Sequence, residues 1–126
     1  MSVLIDTSVW VAYFRGDEGW ETLEELIDEG MPVTNELVLA ELVPVLLVKK
    51  QAEVIALLRE IPRISLRIEW DGIIKMHVKC LQNGINGVGI PDLIIAQNSI
   101  QNGMRLFSLD KHFQLMAEHF PLALMQ

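Results

Sequence analysis

Disulfide chemistry is closed to this chain, because only one of its 126 residues, Cys80, is a cysteine. A lone thiol cannot form an internal bridge, which suits a reducing compartment. Cys80 also lacks a Cys-x-x-Cys partner and reads as a small core or half-buried residue. Eight glycines and five prolines follow no period, so collagen-like and low-complexity organisation are excluded. Charged residues make up 21% against 51% hydrophobic, a balance that excludes a disordered chain. Positive charge is the scarcest: 10 Lys and Arg face 17 Asp and Glu, for a net charge of −7. Phosphate affinity ordinarily comes from basic residues, so this balance argues against simple nucleic-acid binding. Long apolar runs are missing too. The longest strongly apolar stretch free of charge is Leu42–Val48, far short of the ~20 residues that span a bilayer. The opening MSVLIDTSVW has neither the basic region nor the small-residue cleavage site of a signal peptide. The expectation is a cytoplasmic protein with no membrane span.

What is present fits a single domain over 1–126, long enough to bury roughly two-thirds of its unfolded surface without metal or disulfide. Val3–Ile5 reads as a short buried strand, followed by cap-type residues Asp6-Thr7-Ser8 and a helix over Val9–Phe14. Trp20, Leu23, Leu26 and Ile27 recur at helical spacing until Gly30. Met31–Thr34 reads as a second strand. Asn35 is placed to cap a helix over Glu36–Lys50, with a kink expected at Pro44, and Ala52–Ile61 forms the next helix. Arg63–Ile68 alternates as a third strand, Trp70–Gln82 is helical, and Asn83–Gly89 is a glycine-rich loop. Pro91 opens a helix running to about Asn102. Arg105–Leu109 reads as a fourth strand, Asp110–His119 as a last helix and Pro121–Met125 as a final strand. Strands alternating with helices imply an α/β fold, a mostly parallel central sheet with helices on both faces.

Thirteen of the 17 acids lie among polar neighbours and read as solvated helix faces. Four stand in apolar company: Asp6 after VLI, Glu41 within LVLAELVPVLLV, Asp92 within GIPDLIIA and Asp110 after RLFSL. An unpaired buried carboxylate costs several kcal/mol, so each needs a partner or a function. Asp6 and Asp110 fall at the carboxyl ends of strands, the edge where open parallel sheets bind ligands. Asp92 opens a helix, and Glu41 lies about two turns into one, so all four are expected to face one cleft. Carboxylates gathered there repel unless a cation neutralises them. Oxygen ligands without cysteine or histidine favour Mg²⁺, with Mn²⁺ the alternative, and metal-assisted phosphodiester hydrolysis. Taken singly, Asp6, Asp92 and Asp110 are equally explained as helix caps, and Glu41 by a buried ion pair.

In these segments the chain resembles the PIN-domain ribonucleases, and among them the VapC-type toxins of toxin–antitoxin pairs. The resemblance rests on VLIDTSVWVAYF, NELVLAELV, GIPDLIIA and LFSLDKHF, and spans nearly the whole chain. It implies that Asp6, Glu41, Asp92 and Asp110 form a catalytic, Mg²⁺-binding quartet. Ser8 of the DTS motif would touch a metal water or the scissile phosphate, its alternative role being plain capping. It further implies an RNA substrate cleaved to 3′-hydroxyl and 5′-phosphate ends, a homodimer, and an antitoxin partner. Many relatives place a further acid two residues beyond Asp110. His112 stands there in this chain and reads as a surface residue, with contact to RNA phosphate as the alternative, while His77 and His119 read as structural or surface residues. Setting the quartet aside leaves 13 acids against 10 bases, and Arg15, Lys75, Lys79, Arg105 and Lys111 are candidates to line an RNA path. Apolar residues in Trp10–Phe14 and Leu46–Leu58 read either as core or as a partner groove.

Two other readings compete. A receiver-like signalling domain shares the length, the acidity and an aspartate pocket for Mg²⁺, but it requires paired acids after the first strand, where Thr7 and Ser8 stand. A non-catalytic scaffold would use its acids only as caps. The Gly87-Val88-Gly89 stretch completes no dinucleotide fingerprint, and there is no Walker A lysine or Gly-x-Ser-x-Gly elbow.

Overall fold

The computed structural model describes residues 2–125. In chain order the elements are β1 (Val3–Ile5), α1 (Thr7–Arg15), α2 (Trp20–Asp28), β2 (Pro32–Val33), α3 (Glu36–Val48) and α4 (Ala52–Glu60). They continue with α5 (Trp70–Gln82), α6 (Ile90–Gln101), β3 (Arg105–Phe107) and α7 (Lys111–Ala117). Three parallel strands form one sheet in the order β2-β1-β3. The β-branched and leucine residues of β1 are fully buried, as expected of a central strand covered on both faces. Trp10, Leu93, Ile95, Leu106, Phe113 and Met116 complete the centre of the core. The expected α/β class, a parallel sheet flanked by helices, is the one observed.

Two expected strands are reduced to single bridges. Of Arg63–Ile68, only Arg63 pairs, with Thr34, and of Pro121–Met125, only Leu124 pairs, with Leu106. The reason for the first lies in α6, which buries every residue from Leu93 to Ser99. Its amides occupy the backbone groups that a neighbouring strand would have used. Asn98 Nδ2 donates to the Ser65 carbonyl at 3.0 Å, and Gln101 Nε2 to that of Arg67 at 3.0 Å. Gln97 both accepts from the Glu69 N–H and donates to its carbonyl. The segment from Ile64 to Glu69 is thus held in irregular form by side chains, which satisfies its polar groups as a ladder would. Asn98 also accepts a 2.9 Å hydrogen bond from Asn35, whose own carbonyl oxygen caps α3 at Val38.

The other differences are at element ends. The first helix begins at Thr7 rather than Val9, because Asp6 rather than Ser8 is its cap. The second strand shortens to two residues, and the last helix ends at Ala117. α3 continues through Pro44 to Val48. Cys80 is fully buried, as one of the two expected placements had it, and burial pushes its thiol pKa up. Among the described residues no helix is long and apolar enough to cross a membrane.

Candidate active site at the carboxyl edge of the sheet

From β1 the chain moves first to β2 on one side and only later to β3 on the other. The carboxyl edge between β1 and β3 is therefore a topological switch point, where the loops diverge and leave a crevice. Asp6 directly follows β1, and Ser108 and Asp110 follow β3. The Asp6 N–H donates to the Phe107 carbonyl at 2.9 Å, which ties the two strand ends together.

Asp6 is buried and held by hydroxyls. Ser8 Oγ donates to its Oδ2 at 2.7 Å and Ser108 Oγ at 2.8 Å, with the Ser8 N–H at 3.4 Å. The serines in turn accept backbone donors, Ser8 from Leu109 at 3.1 Å and Ser108 from Asp110 at 3.0 Å. This clamp joins the β1–α1 turn to the β3–α7 turn across about a hundred residues of sequence. Among the described residues no side-chain or backbone donor reaches Asp6 Oδ1.

Asp92 lies in the first turn of α6 and accepts the Gly89 N–H at 3.3 Å. Asp110 caps α7, its Oδ1 accepting the His112 N–H at 2.9 Å. The capping roles inferred from sequence are therefore real, yet they leave the carboxylates gathered. One ligand atom each from Asp92, Asp110 and His112 lie within 4.8 Å of one another, and all three residues are half-buried. Burial pushes the Asp92 pKa up. The Gly89 hydrogen bond opposes that rise, the charges of Asp110 and Asp6 add to it, and His112 offsets part. Glu41 is exposed on α3, not in the buried ion pair that was its alternative reading. Its Oε1 accepts from Thr7 Oγ1 at 2.9 Å. Desolvation of the carboxyl raises its pKa, the Thr7 hydrogen bond lowers it, and the charges of Asp6 and Asp92 raise it again. Asp92 and Glu41 thus each feel two of the other carboxylates, while Asp6 and Glu41 stand outside the tight Asp92–Asp110–His112 set.

Sequence reasoning missed three participants. Thr7 and Ser108 were visible as hydroxyls beside Asp6 and two residues before Asp110, but nothing local says which carboxylate they serve. His112 is not the surface residue expected: its Nδ1 lies 3.1 Å from Asp110 Oδ1. The expected basic path is only partly gathered. Arg15 lines a groove beside Glu41, and Lys111 follows Asp110 directly. Lys79 instead sits over the Phe120 ring at 5.2 Å, and Arg105 has its Nε buried without a partner.

A sequence model of the PIN domain matches residues 3–119. No curated protein matches the sequence. Solved structures of similar fold include VapBC2 from Rickettsia felis bound to a DNA fragment from their promoter, at 20% identity and TM-score 0.75, with 99% of this chain and 98% of that one covered. VapBC-1 from nontypeable Haemophilus influenzae is similar at 18% identity and TM-score 0.76, covering 100% and 98%. VapC20 from Mycobacterium tuberculosis, a sarcin-ricin loop cleaving toxin, is similar at 18% identity and TM-score 0.65, covering 94% and 96%. At such identities the likeness speaks for the fold. The family match runs from β1 past α7 and takes in all four acids, and the chain belongs to the PIN-domain family.

Proposed function

We propose that this protein is a divalent-metal-dependent endoribonuclease and the toxin of a toxin–antitoxin pair. The observation that carries the reading is the set of ligand atoms from Asp92, Asp110 and His112 within 4.8 Å at the carboxyl edge of the sheet. Burial and the charges of Asp110 and Asp6 push the Asp92 pKa up, a repulsion that a cation relieves, and the oxygen-rich donor set fits Mg²⁺ or Mn²⁺. The similar VapBC complexes and the RNA-cleaving VapC20 support RNA as substrate and an antitoxin as partner.

Asp92 and Asp110 would hold the ion, with Asp6 and Glu41 completing the site around it. A bound ion would offset phosphate charge and make a water a better nucleophile for in-line attack. Asp6 is kept in one orientation by the two serine hydroxyls, so Ser8, for which the resemblance implied contact with a metal water or the scissile phosphate, acts here by positioning Asp6. Glu41 keeps Oε1 on Thr7 and has Oε2 to take a proton at the reacting centre. The acidic site does not attract RNA, so binding depends on flanking bases such as Arg15 and Lys111 and weakens with salt.

The antitoxin is assigned to a groove of about 520 Å³ beside Glu41. It runs between α1, α3 and α4, with Val11, Phe14 and Val45 on its walls and Arg15 and Lys49 also lining it. A homodimer is assigned to α5, where Trp70, Ile74, Val78 and Leu81 form one exposed apolar stripe at spacings that share a helix face. The receiver-like alternative gains no support, since the turn after β2 carries Thr34 and Asn35 and no carboxylate.

The test is degradation of single-stranded RNA with Mg²⁺ or Mn²⁺ by wild type, Asp6→Asn and Asp92→Asn, purified free of any partner. Metal-dependent cleavage is expected of wild type alone. Equal activity in all three rejects the proposed site, and no metal-dependent cleavage by wild type rejects the nuclease.

A further inference from the structure

We infer that His112 is a nitrogen ligand of the divalent ion, and that it turns this site toward Mn²⁺, a first-row ion that accepts imidazole, in preference to Mg²⁺. The inference rests on the metal-site reading above and adds to it the identity of a ligand and the choice of ion.

The spacing is that of coordination. Nδ1 of His112 lies 3.1 Å from Oδ1 of Asp110. Neighbouring ligands on an octahedral ion with bonds of roughly 2.1 Å stand about 3.0 Å apart, and opposite ones about 4.2 Å. The 4.8 Å span of Asp92, Asp110 and His112 covers both relations. Apart from this approach to Asp110, which is an ion pair only when the ring is protonated, the nitrogen has no partner. Nδ1 is buried and makes no hydrogen bond, although the Asp110 oxygen is so near. Buried polar atoms are almost always satisfied, and a cation between the two groups satisfies both.

The ring is placed rather than loose. The His112 N–H is fixed on Asp110 Oδ1 at 2.9 Å, which sets the start of α7. On the other side the ring lies against Gly87, where an added Cβ would stand 3.4 Å from Nε2 and 3.7 Å from Cε1. Gly87 has φ +79°, a left-handed conformation that glycine adopts freely, so the loop closes over the imidazole edge without a side chain to displace it. Two carboxylates and one imidazole form a mixed donor set. Imidazole suits the later first-row ions and carboxylate suits Mg²⁺ and Mn²⁺ alike, so the mixture favours Mn²⁺ over Mg²⁺.

The experiment is pulsed electron paramagnetic resonance of the full chain loaded with Mn²⁺, with Mn²⁺ and Mg²⁺ affinities measured by calorimetry for wild type, His112→Ala and His112→Asp. The expected result is a ¹⁴N coupling to Mn²⁺ in wild type that both variants lose. Mn²⁺ affinity falls about tenfold or more in His112→Ala, on the order of a lost coordination-sphere contact. Mg²⁺ affinity changes far less, and His112→Asp binds Mg²⁺ at least as tightly as wild type. Mn²⁺ binding by wild type without ¹⁴N coupling overturns the histidine ligand and leaves the metal site standing. Coupling that persists in His112→Ala overturns it equally. No binding of either ion to wild type removes the metal site itself. The wild-type spectrum decides the point even if a variant folds poorly.

Discussion

Replacing Asp92 by Asn separates the two explanations of the acidic residues, because they predict stability changes of opposite sign. If Asp92 were only a helix cap, losing its charge beside the α6 N-terminus would destabilise by roughly 0.3–1 kcal/mol. In the cluster the charge is repelled by Asp110. Two unit charges at 4.8 Å, the outer limit of the cluster, repel by about 1 kcal/mol in water-like surroundings and by about 3.5 kcal/mol at an effective dielectric of 20. Asp92 is half-buried and His112 offsets part of the charge, so the lower figure applies. Asn keeps an acceptor for the Gly89 N–H. The relief of about 1 kcal/mol less the helix-dipole loss of roughly 0.3–1 kcal/mol leaves the metal-free variant more stable by up to about 0.7 kcal/mol, or a Tm up to about 3 °C higher for a chain of this size. The pH dependence has the matching sign. A folded-state pKa above the unfolded value means that the native state binds more protons over that interval. The stability contribution is then complete below about pH 3.9, the ordinary Asp value, and is lost as pH rises through the folded pKa. The variant lacks this loss. A divalent ion at a hundred times its Kd adds about 2.7 kcal/mol to the native wild type, about 10 °C in Tm, and Asp92→Asn loses most of that gain. The assay is thermal unfolding with and without Mg²⁺ or Mn²⁺, repeated from pH 4 to 8. A variant that melts below the metal-free wild type and keeps the full metal response refutes the argument.

The remaining expectations concern packing and assembly. Asn98→Ala removes the acceptor of Asn35, which is buried, and the donor to the part-buried Ser65 carbonyl, and leaving them unpaired costs about 1–3 kcal/mol. Urea unfolding measures this, and a loss below about 1 kcal/mol contradicts the role given to α6. Lys50 follows α3 with φ +58°, where a side chain costs roughly 1–2 kcal/mol and glycine much less. Lys50→Gly is accordingly expected to stabilise by about 0.5–1 kcal/mol in the same assay, and any destabilisation argues against strain there. Ile74→Asp places charge in the exposed α5 stripe, and light scattering should show wild-type dimers dissociating to monomers with Tm nearly unchanged at equal concentration of folded monomer. A variant as dimeric as wild type moves the interface elsewhere.

The sequence by itself determined the α/β class and the order of the helices and singled out the four acids, because hydrophobic period, caps and lone carboxylates in apolar runs are local signals. Where it erred, a distant partner decided. Arg63–Ile68 has the alternation of a strand, but Gln97, Asn98 and Gln101 reach its backbone first. Glu41 sits among leucines in the chain, yet the fold leaves it exposed rather than in the buried ion pair offered as its alternative, because a helix turns successive residues to different sides. Only the tertiary structure decided that Asp92, Asp110 and His112 share one small volume, with two serines fixing the Asp6 carboxylate at the same sheet edge. That arrangement follows from a parallel sheet whose order, β2-β1-β3, brings residues 6 and 108 side by side. No local pattern carries strand order, since hydrogen bonds between parallel strands join residues without regard to their separation along the chain.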